Sequence, residues 1–232
     1  ADEMLLRLQQ VRDDISQLSS GQETLHIGIP SMFSQLVMPD ILQAFAKEYP
    51  AISPSTRSGF STDIAQWLKN RQVQVAFIRG AFSDANYDSY PISVDPICLI
   101  SDQKILMEQL PTLPRIVYKT DPQLQEKLTL WWHSRFPGKK MVTGMEVGDS
   151  QTCIHLVEQG GGYALIPFYV LSEQARQKLW IVPLADGSGA PVLRQTCLVY
   201  PKGAMAASVR LFVEFIKEYF APAEPPPDAV LI

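Results

Sequence analysis

The sequence predicts an α/β protein of two parallel-sheet lobes, joined by two crossover segments and separated by a cleft. Three observations carry this. Short apolar strands alternate with amphipathic helices, the order that builds parallel sheets with right-handed crossovers. The alternation starts twice, giving one unit over about 24–93 and a second over about 94–192. The last strand and helix find no partner in the second unit, so the simplest topology returns them to the first. We therefore expect lobe I at 24–93 plus 197–220 and lobe II at 94–196, with crossings near 90–96 and 192–198.

Residues 2–18 read as a helix. Met4, Leu8, Val11, Ile15 and Leu18 follow the 4-3-4-3 spacing of a coiled-coil seam, and Ser19-Ser20-Gly21 ends it. It is either a short amphipathic helix packed on its own domain or the end of a longer linker and dimerisation helix covering 1–20. Leu25-His26-Ile27-Gly28-Ile29 is the first strand. Pro30-Ser31 starts a helix with Leu36, Ile41, Leu42, Phe45 and Ala46 on its apolar stripe, and Tyr49-Pro50 stops it. The strand at 51–58 holds Pro54, which lacks an N–H and so belongs on a sheet edge. Ser61-Thr62-Asp63 caps a helix through Asn70, and Val73–Ile78 is an apolar central strand.

Extended stretches follow at 87–93 and 96–101, then a short helix over 103–110. Arg115–Tyr118 is a strand. Asp121-Pro122 opens a helix to about Arg135, closed by Phe136-Pro137-Gly138. Its Trp131-Trp132 pair divides between core and surface, with Trp132 or His133 free to meet a partner subunit. Met141–Val147 is a strand, and Asp149-Ser150 caps a helix to Gln159. Gly160-Gly161-Gly162 stops it before the strand Tyr163–Ile166. Pro167 starts a helix to about Gln177, Trp180–Val182 and Gln195–Tyr200 are strands, and 206–220 is the last helix. The proline-rich tail 221–232 reads as disordered.

Composition narrows the function. Hydrophobic residues are 46%, enough for substantial cores. The formal net charge is −4, which argues against a nucleic-acid-binding surface, normally a basic stripe. Cys98, Cys153 and Cys197 are unclustered and odd in number, so they form neither a disulfide framework nor a zinc spacing and fit a reducing cytoplasm. No run of about 18 apolar residues predicts a membrane span, and the first residues lack the basic and apolar blocks of a signal peptide.

The ordered segments resemble the effector-binding domain of LysR-type transcription regulators. Ile27-Gly28-Ile29, Met38-Pro39-Asp40-Ile41-Leu42 and Phe45…Tyr49-Pro50 are similar to that family's strand with Ile-Gly, its helix with Leu-Pro and its closing Tyr-Pro. Asp63-Ile64 through Val75–Ile78, Gly160-Gly161-Gly162-Tyr163-Ala164-Leu165-Ile166-Pro167 and Phe212–Ile216 match later family segments. The resemblance covers about 24–220. It implies two Rossmann-like lobes of the type 2 periplasmic-binding-protein architecture, a homodimer or tetramer with antiparallel side-by-side pairing, and DNA binding by an N-terminal winged helix-turn-helix outside this chain. Ser53-Pro54 and a short 100–113 stretch depart from the family pattern.

In open α/β sheets, ligands sit beyond the carboxyl ends of strands, where helix N-termini favour anions. That rule selects Pro30, Ser31, Met32 and Phe33 after the first strand, Phe60, Ser61 and Thr62 after the second, and Ile78 and Arg79 after the third. In the second lobe it selects Lys119, Thr120, Ser150 and Pro167. Loops 30–33, 78–79 and 120 are also where the family resemblance puts effector contacts. Ser31, Ser61 and Ser150 read equally as helix caps. Arg79 is a surface residue or a forked donor for a carboxylate or phosphate. Lys119 faces solvent or the cleft, and Met32 and Phe33 belong to the core or to an apolar ligand wall. Asp149 reads as a cap.

Catalytic motifs are not found. Cys153 and His155 lie two apart on a helix and so point to different faces. Gly160-Gly161-Gly162 lacks the Lys-Ser/Thr of a phosphate loop, and neither H-E-x-x-H nor G-x-S-x-G occurs. The expectation is a cofactor-free, metal-free, cytoplasmic sensor of a small anionic metabolite and not an enzyme. The alternative is a solute receptor of a transport system with the same two-lobe fold, which the coiled-coil start disfavours.

Overall fold

The computed structural model describes residues 23–221, so the predicted helix at 2–18 and the tail beyond Ala221 lie outside the described residues. The strands are β1 (Glu23–Pro30), β2 (Ile52–Gly59), β3 (Val75–Arg79), β4 (Tyr87–Ser101), β5 (Arg115–Tyr118), β6 (Thr143–Val147), β7 (Ala164–Pro167), β8 (Trp180–Pro183) and β9 (Leu193–Pro201). The α-helices are α1 (Ser31–Leu36), α2 (Met38–Glu48), α3 (Ser61–Lys69), α4 (Pro122–Arg135), α5 (Ser150–Glu158), α6 (Glu173–Lys178) and α7 (Ala207–Tyr219).

The first lobe's sheet has the order β2-β1-β3-β9-β4. β1 lies parallel to both β2 and β3, as helical crossovers require. β9 returns antiparallel to β3, and β4 lies antiparallel to β9. β2 is the edge strand, and Pro54 sits in it opposite Leu25, where a missing N–H removes no central ladder bond. Alternation along β1 sends Leu25, Ile27 and Ile29 to one face, against Phe33, Phe45 and the α7 residues Phe212, Val213 and Ile216. On the other face Ile64 and Leu68 of α3 pack with Ala76 and Ile78. Gly28 permits that approach, because a Cβ there would lie 2.7 Å from the Ile64 methyl.

The second lobe repeats the plan. β5 and β6 are parallel, and the Ile116 N–H donates to the Tyr163 carbonyl at 2.8 Å, linking them to the strand that continues into β7. β7 and β8 flank the second half of β4. One face carries α5 and α6, with Cys153, Ile154, Val157 and Ala175 buried on it. The other carries α4, with Leu124, Leu128, Trp131 and Trp132. Both tryptophans are buried, with indole N–H groups that donate to the Ala185 and Lys139 carbonyls, so the expected division of this pair between core and surface does not occur.

The chain crosses between lobes twice, within β4 and at the entry to β9. The two extended stretches at 87–93 and 96–101 are one strand: its first part pairs with β9 and its last residues with β7 and β8. Pro91 interrupts the ladder through a register shift and does not end the strand. Two short helices also differ from expectation. The stretch at 103–110 is a 3₁₀ turn at Met107–Thr112. After Pro167 comes a 3₁₀ turn at Phe168–Val170, and α6 starts only after the Ser172 side chain accepts from the Ala175 N–H. Pro167 itself ends β7.

The returning helix α7 is held by aromatic packing: Phe45 and Phe212 meet edge to face at 5.0 Å, and both are fully buried. Phe212→Ala is expected to destabilise the protein by about 3–5 kcal/mol, measured as a lower urea midpoint with unchanged m-value.

Candidate functional site

The loops beyond β1, β2 and β3 face those beyond β5 and β6 across a cavity of about 260 Å³. Nine of the expected residues line it: Pro30, Ser31, Met32, Phe60, Ser61, Arg79, Lys119, Thr120 and Ser150. Phe33 and Ile78 do not. Their side chains alternate inward and fill the core clusters of the first lobe. Thr62 and Pro167 are also absent from the lining, but the Thr62 N–H reaches across to the Asp121 carboxylate at 3.3 Å.

The serines are not caps. Ser31, Ser61 and Ser150 are each the first residue of their helix, following Pro30, Phe60 and Asp149 as the boundary residues. Ser61 instead ties its helix to β3, its Oγ accepting from the Arg79 N–H at 2.9 Å. Asp149 does cap α5: its carboxylate accepts from the Thr152 N–H at 2.8 Å and the Thr152 hydroxyl at 2.9 Å. The Thr152 backbone N–H is the main cause holding this carboxyl below its usual range, so it stays charged into acid.

Arg79 is neither a surface residue nor a free fork. Its guanidinium is 3% exposed, pairs with Asp95 at 2.7 Å, donates to the Thr196 hydroxyl at 2.8 Å and stacks on the Tyr169 ring at 3.9 Å. Arg194 lies beside it, donating to the Arg79 carbonyl at 3.0 Å and pairing with Asp121 at 3.1 Å. Burial depresses the Arg194 pKa, with the neighbouring Arg79 adding to the effect and Asp121 opposing it. Asp121 also accepts from the Gln123 N–H at 3.0 Å, so one carboxylate caps α4, neutralises Arg194 and touches the other lobe.

Further donors line the cavity. Lys119 is exposed, makes no ion pair among the described residues and sits 5.9 Å from the Phe60 ring. Thr120 and Ser150 offer hydroxyls to the cavity. The Tyr118 hydroxyl is buried beside the Thr120 side chain, without a well-formed hydrogen bond to it. Burial pushes its pKa up, so it remains a neutral O–H.

Sequence reasoning missed Gln35, Tyr118, Tyr169 and Arg194, whereas Asp121 lines the cleft as its place after a strand of the second lobe led one to expect. Tyr118 is the last residue of a strand and so had a sufficient structural reading. Tyr169 lies in the 3₁₀ turn that replaces the expected helix. Arg194 lies on an antiparallel crossover strand, outside the rule that inspects carboxyl ends of parallel strands.

No cluster of three His, Cys, Asp or Glu side chains suited to a metal occurs among the described residues. Cys98 and Cys153 are buried, and burial pushes both thiols up to about 12, which leaves them protonated. His155 is exposed and faces Glu158, not Cys153. A larger open groove of about 840 Å³ runs between α4 and the crossover strands, with Val94, Leu130 and Leu193 exposed along it. It lacks the convergent hydroxyls of the cleft.

The family model of the LysR substrate binding domain matches residues 19–221. The chain belongs to this family. The LysR-family chain is 33% identical over 219 residues to the uncharacterized HTH-type transcriptional regulator YraN of Bacillus subtilis (strain 168), covering 94% of this chain and 74% of that protein. Among solved structures it is similar to the regulatory domain of Synechocystis PCC6803 CcmR in complex with 2-PG, at TM-score 0.72 and 16% identity, covering 87% of this chain and 99% of that one. It is also similar to the effector binding domain of QuiR in complex with shikimate, at TM-score 0.69 and 14% identity, covering 86% and 97%. These likenesses establish the two-lobe fold of the LysR domain. Among the described residues no helix is long and apolar enough to cross a membrane.

The Arg79–Asp95 pair makes a direct test of the junction. Removing one partner of a buried ion pair leaves an uncompensated charge. Asp95→Ala is expected to cost about 3–5 kcal/mol, with Arg79→Met/Asp95→Leu regaining most of it. Equilibrium denaturation of Asp95→Ala and of the double variant measures this.

Proposed function

We propose that this LysR substrate-binding domain senses a small anionic metabolite in the interlobe cleft and passes its occupancy to a DNA-binding partner domain. One observation carries the reading. Loops from both lobes converge on one small cavity with hydroxyls and a single unpaired ammonium, that of Lys119. The two nearby guanidinium groups serve the lobe junction and do not hold the ligand.

The contacts we assign to the effector are Lys119, Thr120, Ser150, Tyr118, Ser31 and the apolar wall of Met32 and Phe60, with Ser61, Pro30 and Arg79 completing the lining. Lobe I is taken as 24–93 plus 197–220 and lobe II as 94–196. A ligand that touches both lobes favours one interlobe arrangement by its differential affinity. The domain works as a homodimer or tetramer in the cytoplasm, with DNA read by a winged helix-turn-helix beyond this chain and 1–20 acting as the end of a dimerising helix. The family is one of transcription regulators, and we assign no catalytic role.

Calorimetric screening of small organic acids tests this. A binder is expected to lose about tenfold to a hundredfold in affinity in Lys119→Ala/Thr120→Val, the loss of one charge-assisted hydrogen bond and one neutral one. Unchanged affinity in that variant removes the assigned contacts.

A further inference from the structure

We infer that Asp121 is an internal anion that limits the cleft to one ligand charge, so the occupant is a singly charged organic acid carrying neutral oxygens and not a dianion. This rests on the effector reading above.

Asp121 is 4% exposed, yet its carboxylate lies on the cavity wall. One oxygen accepts from the Thr62 N–H at the start of the nine-residue helix α3, and the other pairs with Arg194. A helix N-terminus beside a buried guanidinium is a ready seat for a carboxylate. Here the protein's own side chain already fills it.

Arg79 is neutralised by Asp95 and Arg194 by Asp121, which leaves Lys119 as the cation available to a ligand. Asp149 stays charged on the same cavity wall. A second negative group on the ligand therefore meets Asp121 or Asp149 without a free counter-charge, and like charges brought together in a cleft repel. A further donor points to a neutral oxygen: the Tyr118 hydroxyl is buried on the cavity wall beside the Thr120 side chain, without a well-formed hydrogen bond there. A buried O–H so poorly satisfied is stabilised by a ligand oxygen that reaches it. The volume, about 260 Å³, lies just under the usual range for ligand pockets of about 300–1,000 Å³ and suits a small acid.

The test compares acids that differ by one carboxylate, butyrate with succinate and benzoate with phthalate, by calorimetry at constant ionic strength. The wild-type chain is expected to bind each monoacid about tenfold or more tighter than its diacid. Asp121→Asn and Asp121→Ser both retain a residue that caps helices well, so α4 keeps its start. In both, the preference is expected to fall by about tenfold. The Thr62 amide, protected by the carboxylate, is expected to exchange hydrogen faster in Asp121→Ser.

A wild type that binds diacids as well as monoacids, an unchanged preference in both variants, or an unchanged Thr62 exchange rate overturns the role of Asp121 and leaves the sensor reading standing. If neither wild type nor variant binds any of the acids, the sensor reading fails and the inference falls with it.

Discussion

Two arginines buried at the junction of the lobes, Arg79 and Arg194, must each have a counter-charge, and much of the local structure is arranged to provide one. Moving a guanidinium out of water costs several kcal/mol unless a well-placed anion and hydrogen bonds compensate. Asp95, on the first crossover strand, compensates Arg79, with Thr196 of the second crossover strand as an added acceptor. Asp121, at the start of α4, compensates Arg194, which in turn holds the Arg79 carbonyl. The chain of contacts runs from β3 through both crossovers into the second lobe. Such pairs add little to net stability, and here their contacts tie β3, β4, β9 and the start of α4 together.

The same pairing shapes the cleft. With both guanidinium groups committed, positive charge reaches the cavity through Lys119, on a flexible side chain at the end of β5. The rest of the lining includes neutral groups, the hydroxyls of Thr120, Ser150 and Tyr118 and the rings of Phe60 and Tyr169. Around this site the lobes also touch directly. The Gln123 side chain exchanges two hydrogen bonds with the Ala81 backbone, at 3.0 and 3.1 Å. Gly80, at φ +102, leaves the room for that contact, since a Cβ there would collide with the Gln123 amide oxygen. The first turn of α4 thus adjoins both the cavity-lining residues 119–120 and the bonds between lobes.

The fold was legible because its signals are local or periodic. Pro54 marked the edge strand, and the unpartnered final strand and helix marked the return to the first lobe. The cleft was legible in outline, because carboxyl ends of parallel strands converge by topology alone. Charge pairing was not. Asp95 and Asp121 are distant in sequence from the arginines they neutralise, and nothing in Arg79's own surroundings reveals that its fork is occupied. Side-chain direction at loop–helix junctions was also hidden. Ser61 looks like a cap by type and position but bonds to a strand, and Phe33 turns into the core while its neighbour Met32 lines the cleft. The Pro167 helix failed because proline fixes one turn without supplying the capping that Ser172 gives five residues later.

A ligand held in the cleft, as proposed, leaves the buried ion pairs in place. A crystal structure of the protein with a bound organic acid is the decisive experiment. Ligand density is expected between Lys119, Thr120 and Ser150, with Arg79–Asp95 intact. Density in the apolar groove along Val94, Leu130 and Leu193, with the cleft holding only water, would overturn the proposal.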